Sequence, residues 1–141
     1  MMMQPQLTPK VPGAGPNVLI VDDSAMMRRF IKRVTSVADV PIGTVFEAAD
    51  GCEALAILEH EDIRFVFTDI NMPVMTGTEL LRAMHERPEW QHIVRIIISA
   101  DGSQARREEV AGLDVKMYVD KPLRPEVMRD VLSDLSSTTG R

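Results

Sequence analysis

Disulfides are the first thing this chain cannot use. It has one cysteine in 141 residues, Cys52, so no internal disulfide framework is available. The lone thiol fits a reducing compartment, where it reads as a small helix residue. Long apolar runs are missing too. No segment approaches the roughly 20 apolar residues that a membrane span requires, and Met1 to Lys10 lack the apolar core of a signal peptide. The expectation is a cytoplasmic protein without membrane insertion. A basic excess is also absent: the formal net charge is −5, which argues against a nucleic-acid surface, since phosphate contacts demand clustered Lys and Arg. The three histidines, His60, His85 and His92, show no ligand spacing.

What is present suits one folded domain. A chain of this length with 45% hydrophobic residues buries roughly two-thirds of its unfolded surface and needs no metal or cross-link to fold. Residues 1–16 carry four prolines and two glycines without apolar period and read as a disordered lead-in. Gly13-Ala14-Gly15 precedes the first strand instead of following it, so it is no nucleotide loop. The folded domain is expected over 17–135, with a fraying tail at 136–141.

Within the domain, Val- and Ile-rich runs alternate with helical patterns. Strands are expected at 18–21, 44–48, 65–68, 94–98 and 115–119. Helices are expected at 24–38, 50–59, 76–86, 104–111 and 125–135. Met27, Phe30, Ile31 and Val34 should face the core from the first helix. Met26, Met27 and Met84 read as helix packing, and Trp90 as packing in a connection. Short buried strands separated by helices argue a parallel sheet covered on both faces.

Polar residues gather where the apolar strands end. Asp22 and Asp23 follow the first strand, Asp69 the third, Ser99 the fourth and Lys121 the fifth. The carboxyl ends of strands are where open α/β sheets place ligands. Taken alone, each has an ordinary explanation: Asp22, Asp23 and Ser24 suit a helix N-terminus, Asp69 a turn, Lys121 a solvated loop. Together they place three negative charges in one cleft. Two such charges 4 Å apart repel by about 4 kcal/mol at an effective dielectric of about 20, so a pKa rises or a cation intervenes. Hard carboxylate oxygens favour Mg²⁺ over zinc. With a lysine beside it, Asp69 becomes a candidate phosphoryl-accepting nucleophile. Lys121 suits a phosphoryl oxygen or Asp69 itself, and Ser99 offers a hydroxyl donor.

The separated motifs Asp22-Asp23, Asp69-Ile70-Asn71-Met72-Pro73-Val74-Met75-Thr76-Gly77, Ser99-Ala100 and Lys121-Pro122 resemble a two-component response regulator receiver domain. The likeness spans about residues 17–135. Met27-Arg28-Arg29, Met72-Pro73 with Gly77, and Tyr118 three residues before Lys121 are most similar to the single-domain CheY-type chemotaxis branch. Ser99 stands where that family more often has threonine.

The resemblance implies an α/β fold of the flavodoxin or CheY-like (βα)5 type, a doubly wound five-stranded parallel sheet of order 2-1-3-4-5. It implies that Asp69 takes a phosphoryl group from a sensor histidine kinase or phosphotransfer protein. Mg²⁺ would be held by Asp23 and Asp69 side chains and the Asn71 backbone carbonyl, with Asp22 helping through water. Lys121 would bridge to the phosphoryl oxygens, next to a cis Lys121–Pro122 peptide. Ser99 and Tyr118 would form the switch, reshaping the face of helix 4, strand 5 and helix 5 that a downstream target protein binds. Arg106-Arg107-Glu108-Glu109 is read either as a solvated helix face or as part of that contact.

A stand-alone phosphorylation switch is therefore expected, not a turnover enzyme, since no output domain follows residue 135. A phosphorelay intermediate or phosphate sink is the near alternative. A haloacid-dehalogenase-type phosphohydrolase is the remote one, because its second catalytic aspartate would fall at Asn71 and its nucleophile after the first strand.

Overall fold

Alternation along the strands decides how this chain packs. In the computed structural model, which describes residues 15–38 and 40–139, five parallel strands form one sheet of order β2-β1-β3-β4-β5. They are β1 Val18–Val21, β2 Val45–Ala48, β3 Phe65–Thr68, β4 Val94–Ser99 and β5 Val115–Asp120. The helices are α1 Ala25–Val37, α2 Gly51–His60, α3 Gly77–His85, α4 Gln104–Glu109 and α5 Pro125–Thr139, with a 3-10 turn at Pro88–Trp90. The doubly wound fold expected from the sequence is the one observed. Residues 1–14 of the expected lead-in lie outside the described residues. Of its last two, Pro16 accepts a hydrogen bond from the Gly43 amide at 2.7 Å.

Successive side chains of a strand point to opposite faces, and here both faces are apolar. Leu19, Val21, Val66 and Ile97 meet Ala54 and Leu58 of α2 and Leu80, Leu81 and Met84 of α3. Val18, Ile20, Phe65, Phe67, Ile96 and Ile98 meet Ile31 and Val34 of α1 and Met128, Val131 and Leu132 of α5. Trp90 is buried in the first of these cores. Ile31 and Val34 are buried as expected, with Met27 and Phe30 partly so. Met26 is not helix packing: 76% of it is exposed, because it lies one residue away from the stripe that faces the sheet.

Local chemistry starts each helix. Ser24, Asp50, Thr76 and Ser103 cap α1 to α4 with their side-chain oxygens, satisfying amides that have no partner inside the helix. Thr76 and Glu79 complete a reciprocal capping box. The last helix runs four residues past the expected 135, to Thr139. The sequence pattern marks Arg95 only as part of a strand, yet it is fully buried in β4. Its guanidinium donates to the carbonyls of Trp90 at 2.8 Å and Leu113 at 3.2 Å, so a charge sits inside the sheet only by holding two loops.

The β3–α3 loop carries two backbone constraints. Val74 has φ 70°, a conformation that a β-branched residue adopts only under strain, and its side chain is 78% exposed. Gly77 packs so closely that an added Cβ would lie 1.9 Å from the Asp69 carbonyl oxygen. Opposite outcomes follow in urea unfolding. Val74→Asn should gain about 1 kcal/mol, because asparagine tolerates the left-handed region and no buried contact is lost. Gly77→Ala should lose about 1–3 kcal/mol through overpacking against backbone.

Candidate functional site

Strands β1, β3 and β5 are each followed by a residue that the sheet aims at the same edge. Asp22 follows β1, its amide donating to Ala48 O at 3.0 Å, and Asp69 follows β3, its amide donating to Val21 O at 2.9 Å. These bonds extend the sheet ladder by one residue and fix where both carboxylates leave the backbone. Lys121 follows β5, its amide donating to Ser99 O at 2.9 Å. The Lys121–Pro122 peptide is cis, as the resemblance implies.

The side chains then meet. Lys121 Nζ donates to Asp22 Oδ2 at 2.9 Å and to Asp69 Oδ2 at 3.0 Å. Asp22 and Asp69 are buried and Asp23 exposed, and ligand oxygens of all three carboxylates lie within 4.8 Å of one another. The remaining oxygens are also used: Asp22 Oδ1 accepts from the Ser24 amide at 2.9 Å, and Asp69 Oδ1 from the Ile70 amide at 2.7 Å. Arg28 braces the β1–α1 loop, donating to Asp22 O at 2.7 Å and to Glu47 at 3.0 Å.

Electrostatics follow from this crowding. Burial alone would lower the Lys121 pKa, but its hydrogen bonds to Asp22 and Asp69 and their negative charges outweigh burial and raise it. The donor set of three close carboxylates, with one ammonium to balance them, fits a small hard cation such as Mg²⁺. It lacks the nitrogen or sulfur that zinc prefers.

Ser99 and Tyr118 are placed beside this group, not in it. Ser99 is fully buried, and its Oγ accepts from the Asp101 amide at 3.1 Å. The Tyr118 hydroxyl donates to the Asp101 carbonyl, and Arg107 lies over its ring. Burial raises the Tyr118 pKa, with the Ser99 hydroxyl acting in the opposite direction. Asn71 lines, with Ile70, Thr78, Arg82, Arg106 and Glu109, a cavity of about 230 Å³ between α3 and α4. The part played by Asp101 and Arg107 was not legible beforehand. The Arg106-Arg107 run signals charge, but its partners are Glu109 on the same helix and, from two other segments, Asp101, Gly102, Tyr118 and Asp120.

Known proteins share this fold. The response regulator receiver domain pattern matches residues 18–133. The chain belongs to the response regulator receiver family. It is 35% identical over 118 residues to the chemotaxis protein CheY of Pseudomonas aeruginosa, covering 84% of this chain and 94% of that one. Identity to a chemotaxis protein CheY homolog of Campylobacter jejuni is 33% over 122 residues, covering 86% and 92%. The structure of CheY4 from Vibrio cholerae superposes with a TM-score of 0.76 at 28% identity, covering 85% of this chain and 98% of that one. This receiver domain is thus of the CheY type. The dehalogenase-type hydrolase alternative falls, since Asp69 follows the third strand and Asn71 occupies the position of the second acid.

The lysine bridge has a stability signature. Lys121→Met leaves two largely buried carboxylates without their cation and should cost about 1–3 kcal/mol in chelator-treated urea titrations at pH 7, below the fully buried case because a fifth of the Lys121 side chain is exposed. Since folding raises the Lys121 pKa, its contribution is complete below the unfolded value of about 10.4. It is lost as pH rises through the higher folded value. The difference between the two proteins should therefore narrow above about pH 10.5 and stay constant from neutrality up to there.

Proposed function

We propose that this receiver domain accepts a phosphoryl group on Asp69 from the phosphohistidine of a sensor histidine kinase or phosphotransfer protein. The observation that carries the reading is the Asp69 carboxylate bonded to Lys121 at 3.0 Å inside a cluster with Asp22 and Asp23. A carboxylate oxygen of Asp69 forms the new P–O bond as the donor's P–N bond breaks and its imidazole departs. The Ile70 amide, bonded to Asp69 Oδ1 at 2.7 Å, orients the carboxylate for that approach. Lys121 meets the incoming negative charge with an ammonium that its two carboxylate partners keep protonated against the opposing effect of burial.

Asp22, Asp23 and Asp69, with the Asn71 backbone carbonyl, are the residues that would hold Mg²⁺. Bound there, the ion would neutralise charge on the transferring phosphoryl oxygens and offset the repulsion among three carboxylates that a single lysine balances only in part.

The output is protein binding through α4, β5 and α5. Ser99 and Lys121 supply the hydrogen bonds that a phosphoryl group adds. Moving a two-state population from 1:99 to 99:1 needs about 5.5 kcal/mol, and two charge-assisted contacts supply much of that. Tyr118 reads the change because it sits between the β4–α4 loop and the α4–β5 surface. The chain acts as a switch that turns over only its own phosphoryl group. Its CheY relatives support a role in chemotaxis or motility. The exposed Cys52 thiol suits the reducing cytoplasm. Among the described residues no helix is long and apolar enough to cross a membrane.

Intact-mass analysis after incubation with acetyl phosphate tests the central step. A single phosphoryl adduct should form with Mg²⁺ present, fall sharply when the ion is chelated, and be absent in Asp69→Ala. An adduct that persists in Asp69→Ala, or none with either acetyl phosphate or a sensor kinase on folded protein, overturns the reading.

A further inference from the structure

Helix α4 buries no side chain of its own; Val110, just beyond it, is the first buried residue of that stretch. A six-residue helix without an apolar face has no hydrophobic hold on the sheet and little intrinsic stability. Polar contacts therefore decide where it sits, and Arg107 makes those that cross to other elements. Its Nε donates to Gly102 O at 3.1 Å, and Nη2 reaches both Asp120 carboxylate oxygens at 3.3 Å. Its guanidinium carbon lies 4.3 Å from the centroid of the Tyr118 ring. The neighbouring Arg106 is occupied by Asp101 and Glu109.

Beneath Arg107 the tyrosine is anchored at its other end, through its hydroxyl on the Asp101 carbonyl. Ring and hydroxyl are thus held by two different segments. Arg107 and Tyr118 also share one wall of a groove of about 360 Å³ with Val110, Val115, Lys116 and Met117, so the position of the ring decides the shape of that groove. None of Arg107's partners belongs to the Asp22, Asp69 and Lys121 group. Its grip on the ring therefore owes nothing to the phosphoryl-accepting site.

We infer that Arg107 is a positioning residue that latches Tyr118 in its half-buried place against the Asp101 carbonyl, so that it sets the resting balance of the output face and phosphorylation adds to a bias already built in. The inference rests on the receiver reading above and names a regulator of the same switch. The physics requires arginine. A planar guanidinium stacks on the ring and forks onto a carboxylate together, whereas an ammonium keeps the charge and loses both geometries.

The chain has one tyrosine, so labelling with 3-fluorotyrosine gives one ¹⁹F signal, from the ring in question. Its relaxation by a soluble gadolinium chelate reports exposure, measured on the full chain in an Asp69→Ala background that excludes phosphorylation. Arg107→Ala should raise the exposed population roughly fivefold, the factor that one exposed cation–π contact supplies. Arg107→Lys should fall between the two. Asp120→Asn should loosen the ring in the same direction without altering α4 itself. Unchanged protection in both Arg107→Ala and Asp120→Asn overturns the latch. Acetyl phosphate labelling of chains with Asp69 intact separates the two ideas. A normal adduct with an unmoved tyrosine removes the latch and leaves the receiver reading standing. A released tyrosine in Arg107→Ala, with no adduct on any chain, does the reverse.

Discussion

The bond that the rest of this site depends on is the lysine bridge. Lys121 reaches 99 residues back to Asp22 and 52 back to Asp69, joining the ends of strands β1, β3 and β5. Without a cation the carboxylates could not share this edge, because like charges at such separations repel by several kcal/mol in a partly buried setting. The bridge also makes a small charge change consequential. One ammonium faces two buried carboxylates and an exposed third, so an arriving cation or phosphoryl group rewrites a local balance that is already tight. The sheet supplies rigidity for this. Asp22 and Asp69 leave from ladder positions bonded to neighbouring strands, and Gly77 lets the following helix press directly on the Asp69 carbonyl.

Away from that rigid edge the molecule is held differently. The central strands are buried on both faces by two apolar layers, and α1, α2, α3 and α5 each contribute buried side chains to them. Helix α4 contributes none. Its contacts are ion pairs and a ring stack, which are individually weak and exchangeable. An element that must change position cheaply is best drawn from the low-stability end of a fold. The path from Ser99 through Asp101 to Tyr118 and Arg107 links the end of β4 with the side of α4. It is a short physical route from the strand-end edge where Asp22, Asp69 and Lys121 meet to the side of α4.

Buried polar groups mark where the fold gives something up. Arg95 lies inside the sheet with its guanidinium on two loop carbonyls while its Nε has no partner among the described residues. Burial lowers its pKa, and the charge of Asp114 opposes that effect. Val74 holds a strained backbone angle in the loop that follows Asp69 while its side chain contributes nothing to the core. Strain of that kind persists only where surrounding structure over-determines the conformation, here the capping box of α3 on one side and the Asp69 strand end on the other.

Much of the fold was written in pattern. Runs such as Val18–Val21 and Phe65–Thr68 are short, apolar and β-branched or aromatic, and between them lie stretches with capping residues at Ser24, Asp50 and Thr76; this determined a parallel sheet with two covered faces. The same pattern put Asp22, Asp23, Asp69, Ser99 and Lys121 at strand ends, and family likeness supplied strand order and roles. Met26 escaped because adjacent methionines look alike in sequence, and only the angle at which α1 meets the sheet exposes one and tucks the other. The tertiary structure alone decided which oxygen of Asp69 faces Lys121, that Arg95 is buried, and that Arg107 leans on Tyr118 and Asp120 instead of water. Periodicity is a property of neighbours along the chain, so local physics writes it into the sequence. Pairing between charges tens of residues apart depends on distances that only the folded sheet creates.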